Sequence, residues 1–185
     1  MLKSLQMKNL KSQASIIFKS QFLKRLSPIE RYEFLQLCHV RSYRPEEYIY
    51  HQGDPATGMY ILESGRIKLI AGSADQQENI PVTEIEPPES FGAFSVGYDV
   101  RRMSTAQSIT DTRVYGFFNS DFETLRDRHP RIAIKFLEAL NIVVTRQLEA
   151  SLTKLREVTD VNQTAALLFD TYNMERIKLD EDDEF

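Results

Sequence analysis

The sequence lacks the features that would place it in a membrane or outside the cell. No apolar run approaches the roughly 20 residues that a bilayer-spanning helix needs, so we expect no membrane span. The N-terminal lysines are followed by no apolar segment, which argues against a secretory signal. The one cysteine, Cys38, excludes an internal disulfide and fits a reducing compartment. We therefore expect a cytoplasmic protein in which Cys38 is a small buried hydrophobe.

Patterns typical of catalysis or metal binding are also missing. The three histidines, His39, His51 and His129, lie far apart and form no metal-ligand spacing. The sequence contains no P-loop, no Gly-x-Ser-x-Gly and no His-Glu-x-x-His segment. These absences predict a protein that is not an enzyme and that holds neither a metal nor a cofactor.

Charge is spread unevenly along the 185 residues, although the net charge is only −4. Residues 1–26 carry six basic side chains and no acidic one, whereas residues 180–184 are all acidic. We interpret the two ends as a solvated basic helix face and an acidic tail. A basic arm that touches a membrane or nucleic acid is the alternative, but no other feature of the sequence supports it.

The first 40 residues have apolar side chains at helical spacing, without glycine. A second helix is predicted to begin near Ser27, which is an N-cap candidate followed by Pro28 and, three positions on, by Glu30 as in a capping box. Its apolar face is predicted to comprise Ile29, Tyr32, Leu35 and Leu37.

Between residues 40 and 118 the pattern changes to short segments rich in Ile, Val, Tyr and Phe, separated by turns that contain Gly, Pro, Asn or Asp. This pattern is typical of an all-β sandwich or barrel. The segment at residues 71–79 lies between two such strands and is predicted to be an exposed hairpin tip.

Helical spacing returns after residue 118, with Asn119 or Ser120 as a cap and Pro130 at the junction of two helices. Apolar residues then recur every three or four positions: Val144, Leu148, Leu152, Leu155 and Val158. This stripe can pack on its own domain or on a partner helix. Because the helix is long and leaves the β region, we favour a homodimer formed through it.

The order of elements predicts an α+β protein with a β-barrel core, flanked by N-terminal helices and a long C-terminal helix. We divide it into an N-terminal helical extension (residues 1–26), a central domain with its C-terminal helix (27–160) and a terminal helix with the acidic tail (161–185).

Residues 22–161 resemble the cyclic nucleotide-binding domain family, found in CRP/FNR-like regulators, kinase regulatory subunits and ion-channel tails. Four segments carry the resemblance in order: FLKRLSPIERYEFL, YIYHQGDPATGMYILESGRIKL, SFGAFSV through RRMSTA, and RVYGF. The second contains Gly53, Asp54, Gly58, Tyr60, Ile61 and Gly65 in register. The resemblance implies a jelly-roll core, that is, a double-stranded β-helix. It makes the third segment the phosphate-binding cassette.

The cassette implies a ligand site for a cyclic nucleotide, cyclic AMP or cyclic GMP, or a related phosphate. Backbone N–H groups at a helix N-terminus bind such an anion, and an arginine adds a charge-assisted contact. In the family's spacing Arg102 is the phosphate-binding arginine, with its neighbour Arg101 as the alternative. The predicted ligand-binding residues are Phe91, Gly92, Ala93, Phe94, Ser95, Arg101, Arg102, Met103, Ser104 and Thr105. Ser151 or Thr153 is predicted to contact the base.

Ala93 departs from the family's pattern. The family has a glutamate there, which accepts the ribose 2′-hydroxyl, and alanine offers no acceptor. Losing such a bond costs roughly 1.5–3 kcal/mol. Two functions therefore stay open: a ligand-sensing regulatory domain, or a degenerate scaffold used for dimerisation or for binding another protein.

A DNA-binding regulator of this family would need about 60 further residues after Val161 for a helix-turn-helix domain. Only 24 follow in this sequence, so we expect no nucleic acid partner. A truncated piece of a longer regulator would look the same.

Overall fold

The computed structural model describes residues 20, 22–71, 82–92, 99–159 and 161–165. The chain divides into two compact units, Met1–Ala139 and Leu140–Phe185. This division falls inside the long C-terminal helix. The domain boundaries at residues 26 and 160 stay a prediction. Most of the predicted N-terminal extension, the loop at 72–80 and the acidic tail lie outside the described residues.

Eight strands and three α-helices form the described chain. The strands are β1 (His39–Tyr43), β2 (Tyr48–Tyr50), β3 (Gly58–Ser64), β4 (Ile67–Ile70), β5 (Val82–Ile85), β6 (Ser90–Phe91), β7 (Thr105–Ser108) and β8 (Thr112–Phe118). A 3-10 helix (Phe22–Arg25) precedes α1 (Pro28–Gln36), and α2 (Asn119–Arg128) and α3 (Pro130–Val158) follow the strands. Residues 161–165 are also helical.

The strands form two four-stranded antiparallel sheets, in the orders β1-β8-β3-β6 and β2-β7-β4-β5. Their facing surfaces bury apolar side chains, among them Leu62, Ile67, Ala106 and Val114, each fully buried. Two packed antiparallel sheets with flanking helices confirm the predicted α+β jelly-roll class.

Helix α1 begins as the sequence predicts but buries a different face. The Ser27 hydroxyl accepts the Glu30 N–H at 3.3 Å, and the Glu30 carboxylate accepts the Ser27 N–H at 2.7 Å, so the capping box is confirmed. The predicted apolar face is wrong in part, because Ile29 is 74% exposed and Phe34 is fully buried. The β-sheet, and not the helical pattern alone, decides which side of α1 is covered.

Four phenylalanines join α1 to the sheet and to the other helices of the first unit. The Phe34 ring lies 4.5 Å from that of Phe117 in β8 and 5.4 Å from that of Phe136 in α3. Phe122 of α2 completes the group at 5.8 Å from Phe136. Beside this cluster, the Lys135 ammonium lies 2.6 and 2.8 Å from the two Glu30 carboxylate oxygens. Aromatic packing and one ion pair therefore hold α1 on the first turns of α3.

Two boundaries differ from the sequence analysis. Helical structure ends at Gln36, and His39 already begins a strand, so the predicted helix up to residue 40 is too long. Helix α2 is capped by the Asp121 carboxylate, which accepts the Phe118 N–H at 2.8 Å, and not by Asn119 or Ser120. Cys38 is half-buried, and burial raises the pKa of its thiol, which stays protonated at neutral pH.

Within the described part of the chain, no helix combines the length and the apolar character that a bilayer crossing requires. The same residues bring together no group of three His, Cys, Asp or Glu side chains suited to a metal ion.

Replacement of Glu30 by glutamine should weaken the α1–α3 contact in a pH-dependent way. The hydrogen bonds from Lys135 and from the Ser27 backbone lower the pKa of the Glu30 carboxyl below the usual value of about 4.5 for a glutamate. A lowered carboxyl pKa contributes stability above pH 4.5, and this contribution fades as the pH falls through the folded-state value. Urea unfolding of Glu30→Gln should show a loss of about 0.5 kcal/mol at neutral pH.

The loss should shrink at about pH 3, where the wild-type carboxyl is protonated. Glu123→Gln on α2 is the control, since that carboxylate is exposed. A Glu30→Gln deficit that stayed constant with pH would mean that the ion pair with Lys135 does not supply it.

Candidate functional site

Two backbone hydrogen bonds fix the main chain of Arg102. The Gly53 N–H donates to the Arg102 carbonyl, and the Arg102 N–H donates to the Asp54 carbonyl, each at 2.9 Å. Asp54 also closes its own turn, because its carboxylate accepts the His51 N–H at 2.8 Å. Gly53 has a φ of +85°, in the left-handed region that favours glycine. The Gly-Asp turn thus holds the segment before β7 that carries Arg102.

The Arg102 side chain points into the protein and is only 4% exposed. Its guanidinium carbon lies 4.3 Å from the centre of the Tyr50 ring and 5.7 Å from that of Tyr60. Burial lowers the pKa of Arg102, and electrostatic interactions with Tyr50, Tyr60 and Asp54 oppose this. Arginine is protonated far above physiological pH, so the buried group remains a cation.

Gly92 lies directly against this cation. A Cβ atom added at Gly92 would come within 2.7 Å of the Arg102 Nη1 atom. Gly92 also has a φ of +85°, a backbone conformation that favours glycine, and a side chain there would displace the Arg102 guanidinium. The guanidinium therefore sits where the chain enters the predicted cassette.

Three aromatic rings form the wall beneath Arg102. Tyr60 stacks on Phe91 at 5.3 Å between centroids, and Tyr50 lies 6.1 Å from Tyr60 and 6.3 Å from Phe91. Tyr50 belongs to one sheet and the other two rings belong to the opposite sheet. Burial raises the pKa of both tyrosines, so their phenols stay protonated at neutral pH. The site is thus a cation on a neutral aromatic surface.

The two predicted hydroxyl residues after Arg102 have local partners. The Ser104 hydroxyl lies near the Tyr50 phenol and lowers its pKa, against the larger effect of burial. The Thr105 hydroxyl accepts the Gln52 N–H at 3.0 Å and so ties β7 to the Gln-Gly-Asp turn. Ser104 contributes to the aromatic wall, whereas Thr105 supports the turn.

The other predicted ligand residues fall into two groups. Arg101 and Met103 are exposed; Arg101 donates to the Gly53 carbonyl at 3.4 Å and Met103 is 80% exposed. Ala93, Phe94 and Ser95 lie outside the described residues. The structure therefore brings together Phe91, Gly92, Arg102 and Ser104 from the predicted set.

The two predicted base-contact residues lie on α3 in the second unit. Ser151 is exposed, and the Thr153 hydroxyl donates to the Glu149 carbonyl within the same helix at 2.9 Å. Their role in binding a base stays a prediction.

Sequence reasoning did not assign Tyr50 and Tyr60 to the site. Tyr60 was noted only as a marker of the Gly-Asp segment, and Tyr50 only as part of a strand. Strand alternation does not reveal it, because a register shift lies between Tyr48 and Tyr50 of β2, and Tyr48 is half exposed whereas Tyr50 is buried. The sequence does not indicate that the Arg102 side chain points into the protein.

A separate cleft of about 460 Å³ opens elsewhere on the first unit, lined by Ser42, Tyr43, Arg44, Glu47, Ser64, Asp111, Thr112 and Arg113. Arg113 pairs with the buried Glu63 carboxylate at 2.6 Å. Burial raises the pKa of Glu63, and Arg113 and the Tyr115 hydroxyl oppose this increase. Arg113 thus stabilises a buried charge of the core.

Residues 40–129 match the family model described as the cyclic nucleotide-binding domain. Human cGMP-dependent protein kinase 2 is 26% identical over 110 residues, which cover 60% of this chain and 14% of the kinase. The chain thus spans only a small part of that relative's length.

Two solved structures share the fold. The catabolite activator protein of Thermus thermophilus superposes with a TM-score of 0.66 at 25% identity, covering 75% of this chain and 63% of that one. A cyclic nucleotide-binding domain from Methylobacillus flagellatus gives a TM-score of 0.67 at 15% identity, covering 82% and 85%.

The substitution Gly92→Ala should displace the Arg102 guanidinium, and Gly53→Ala provides a matched control. Both glycines have a φ of +85°, but a Cβ at Gly53 would meet no atom within 4 Å. Each variant should lose about 1–2 kcal/mol of unfolding free energy from backbone strain. Gly92→Ala should lose about 1 kcal/mol more from the steric conflict.

Urea unfolding of both variants measures this excess. The excess should disappear when Arg102 is replaced by methionine. Equal losses in Gly92→Ala and Gly53→Ala would show that the guanidinium does not press on Gly92.

Proposed function

Because residues 40–129 belong to the cyclic nucleotide-binding domain family, we propose that this chain is a ligand-sensing regulatory module. Its ligand is a cyclic nucleotide or a related phosphate, and its role is regulatory rather than catalytic. The observation that carries the proposal is the Arg102 guanidinium, a buried cation held against Gly92. We place its activity in the cytoplasm, since a single cysteine fits a reducing compartment.

A phosphodiester suits this position for electrostatic reasons. A charge removed from water interacts more strongly with a counter-charge than an exposed one does, because the local dielectric constant is lower. Guanidinium groups also match phosphate geometry with two parallel N–H donors. A ligand phosphate at Arg102 would therefore offset part of the desolvation cost that lowers its pKa.

Ala93 limits what else the site can recognise. Its side chain has no hydrogen-bond acceptor, so it cannot bind a ribose 2′-hydroxyl in the way that the family's glutamate does. We therefore expect modest affinity, and similar affinity for cyclic AMP and for its 2′-deoxy form. The phosphate, and not the sugar, would provide most of the recognition.

Signalling would use the contacts that join the helices of the first unit. Phe34 of α1 and Phe136 of α3 both pack on Phe117 of β8, and Lys135 pairs with Glu30. A shift of the first turns of α3 would therefore carry α1 with it. We propose that ligand binding biases this group of contacts and is transmitted through the C-terminal helices.

Calorimetric titration with cyclic AMP and cyclic GMP tests the proposed function. Wild-type protein should give saturable heat, with a dissociation constant of about 10–100 μM. Arg102→Met keeps the aliphatic bulk and removes the charge, and should weaken binding about 10- to 100-fold. Arg101→Met, the same change at the exposed neighbour, is the matched control and should change affinity less than about twofold.

Calorimetric titration also tests whether position 93 recognises the ribose 2′-hydroxyl. Ala93→Glu should tighten cyclic AMP binding but leave 2′-deoxy cyclic AMP little changed. If wild type gives no heat and only Ala93→Glu binds, the natural site has lost its ligand. An equal loss of nucleotide affinity in Arg101→Met and Arg102→Met would contradict the assignment of Arg102 as the phosphate-binding residue.

A second candidate function is an interaction scaffold that dimerises or binds another protein. Exposed apolar side chains in the second unit favour it: Val144, Leu148, Val158 and Val161 are 52%, 56%, 80% and 68% exposed. Such residues at helical spacing are typical of a helix that packs on a partner. This function is compatible with ligand sensing but does not require it.

Sedimentation equilibrium of Leu148→Lys tests the proposed homodimer. Wild-type protein should sediment as a dimer, and Leu148→Lys should be mainly monomeric because a charge replaces an apolar contact. Gln147→Lys adds the same charge at the adjacent exposed position and should remain dimeric. If the wild-type protein is monomeric, the homodimer proposal is wrong, and the partner of these exposed residues would be a different protein.

A further inference from the structure

The cleft of about 460 Å³ shares no lining residue with the Arg102 site. It lies where the end of β1 meets the start of β8, because the register pairs Tyr43 with Thr112 and both residues line it. The turn after β1 is closed by two hydrogen bonds, since the Arg44 N–H donates to the Glu47 carboxylate at 2.7 Å and the Glu47 N–H donates to the Arg44 carbonyl at 3.2 Å. Small-molecule sites occupy roughly 300–1,000 Å³, so the cleft is large enough for such a ligand.

A row of hydrogen-bond donors crosses the sheet in this cleft. Arg113 is paired in register with Ser42 of β1 and with Ser64 of β3, and all three residues line the cleft. The Arg113 side chain is 33% exposed, whereas its partner Glu63 is only 6% exposed. Arg44 adds a second guanidinium, which is exposed and forms no ion pair with any residue that the structure describes. Guanidinium and hydroxyl groups are the donors that bind a carboxylate.

Two carboxylates, those of Glu47 and Asp111, line the same cleft. Arg44 and Asp111 are the next residues beyond the Tyr43–Thr112 pair, on adjacent strands of the sheet. Their side chains nevertheless form no ion pair with each other. The cleft thus presents opposite charges that a ligand with both an anionic and a cationic group can bind together.

We propose that this cleft is a second ligand site, separate from the nucleotide site, and that it binds a free α-amino acid. The ligand carboxylate binds to Arg44 and to the donor row of Arg113, and the ligand ammonium group binds to Asp111. Because Glu63 offsets the charge of Arg113, Arg44 is left to balance the two lining carboxylates, Asp111 and Glu47. The cleft therefore favours a ligand of net positive charge, that is, a basic amino acid over an acidic one.

Titration of the full ¹⁵N-labelled protein with free lysine, followed by amide chemical shifts, tests this site. The shifts should be concentrated at residues 42–47 and 111–113. Arg44→Gln and Asp111→Asn should each weaken lysine binding about tenfold, because each removes a charged hydrogen-bonding group. The matched controls are Arg41→Gln and Asp127→Asn, two exposed side chains outside the cleft, which should bind lysine within about twofold of wild type. Arg113 is left unchanged, since its removal would strand the buried Glu63 carboxylate.

Two further probes test the chemistry of the ligand. Glutamate should bind at least about fivefold more weakly than lysine, and N-acetyl-lysine amide, which lacks both backbone charges, should not bind at about 10 mM. Equal affinity for lysine and its blocked form, shifts outside the cleft, or no lysine binding at about 10 mM would overturn the proposal. The affinity of Arg44→Gln for cyclic AMP should stay within about twofold of wild type, and a larger change would show that the two sites are not separate. If the protein binds lysine but no cyclic nucleotide, the proposed function fails while this site stands.

Discussion

The burial of one positive charge constrains the organisation of this domain. The Gly-Asp turn holds the Arg102 backbone by two hydrogen bonds, which directs the side chain into the interior. There the guanidinium packs on the rings of two tyrosines. Gly92 must lack a side chain for the same reason. The rings come from opposite sheets, so the packing of the two sheets and the placement of the cation depend on each other. A change in sheet packing would therefore also change the site.

Much of the fold could be predicted from the sequence because its signals are local. The capping box of α1 needs only Ser27, Pro28 and Glu30, and the change of sheet between β3 and β4 occurs at Gly65, which has a φ of +89°. Strand β1 was mistaken in part for helix because most of its side chains are exposed, which leaves no apolar alternation to recognise. The buried side of α1 was missed for a different reason. Phe34 is selected by contacts with Phe117 and Phe136, which are distant in sequence.

The candidate site, like the fold, could be predicted from the sequence only in part. The order of Gly92 and Arg102 is visible as a motif, and the importance of Ala93 follows from the resemblance, since the family has a glutamate at that position. The aromatic partners of Arg102 could not be identified, because Tyr50 reaches it only through the pairing of β2 with β7. A sequence motif specifies which residues come near a ligand. It does not specify which rings of the two sheets pack on the buried cation, because those contacts depend on the tertiary fold.

The tyrosines beside Arg102 have a further consequence for spectroscopy. The chain contains eight tyrosines and no tryptophan, so its tyrosine emission is not obscured by energy transfer to indole. Two of the eight, Tyr50 and Tyr60, lie against the cation. An anion that draws the guanidinium away from these rings would change their electronic surroundings directly. The protein thus contains an intrinsic optical reporter at the centre of its own site.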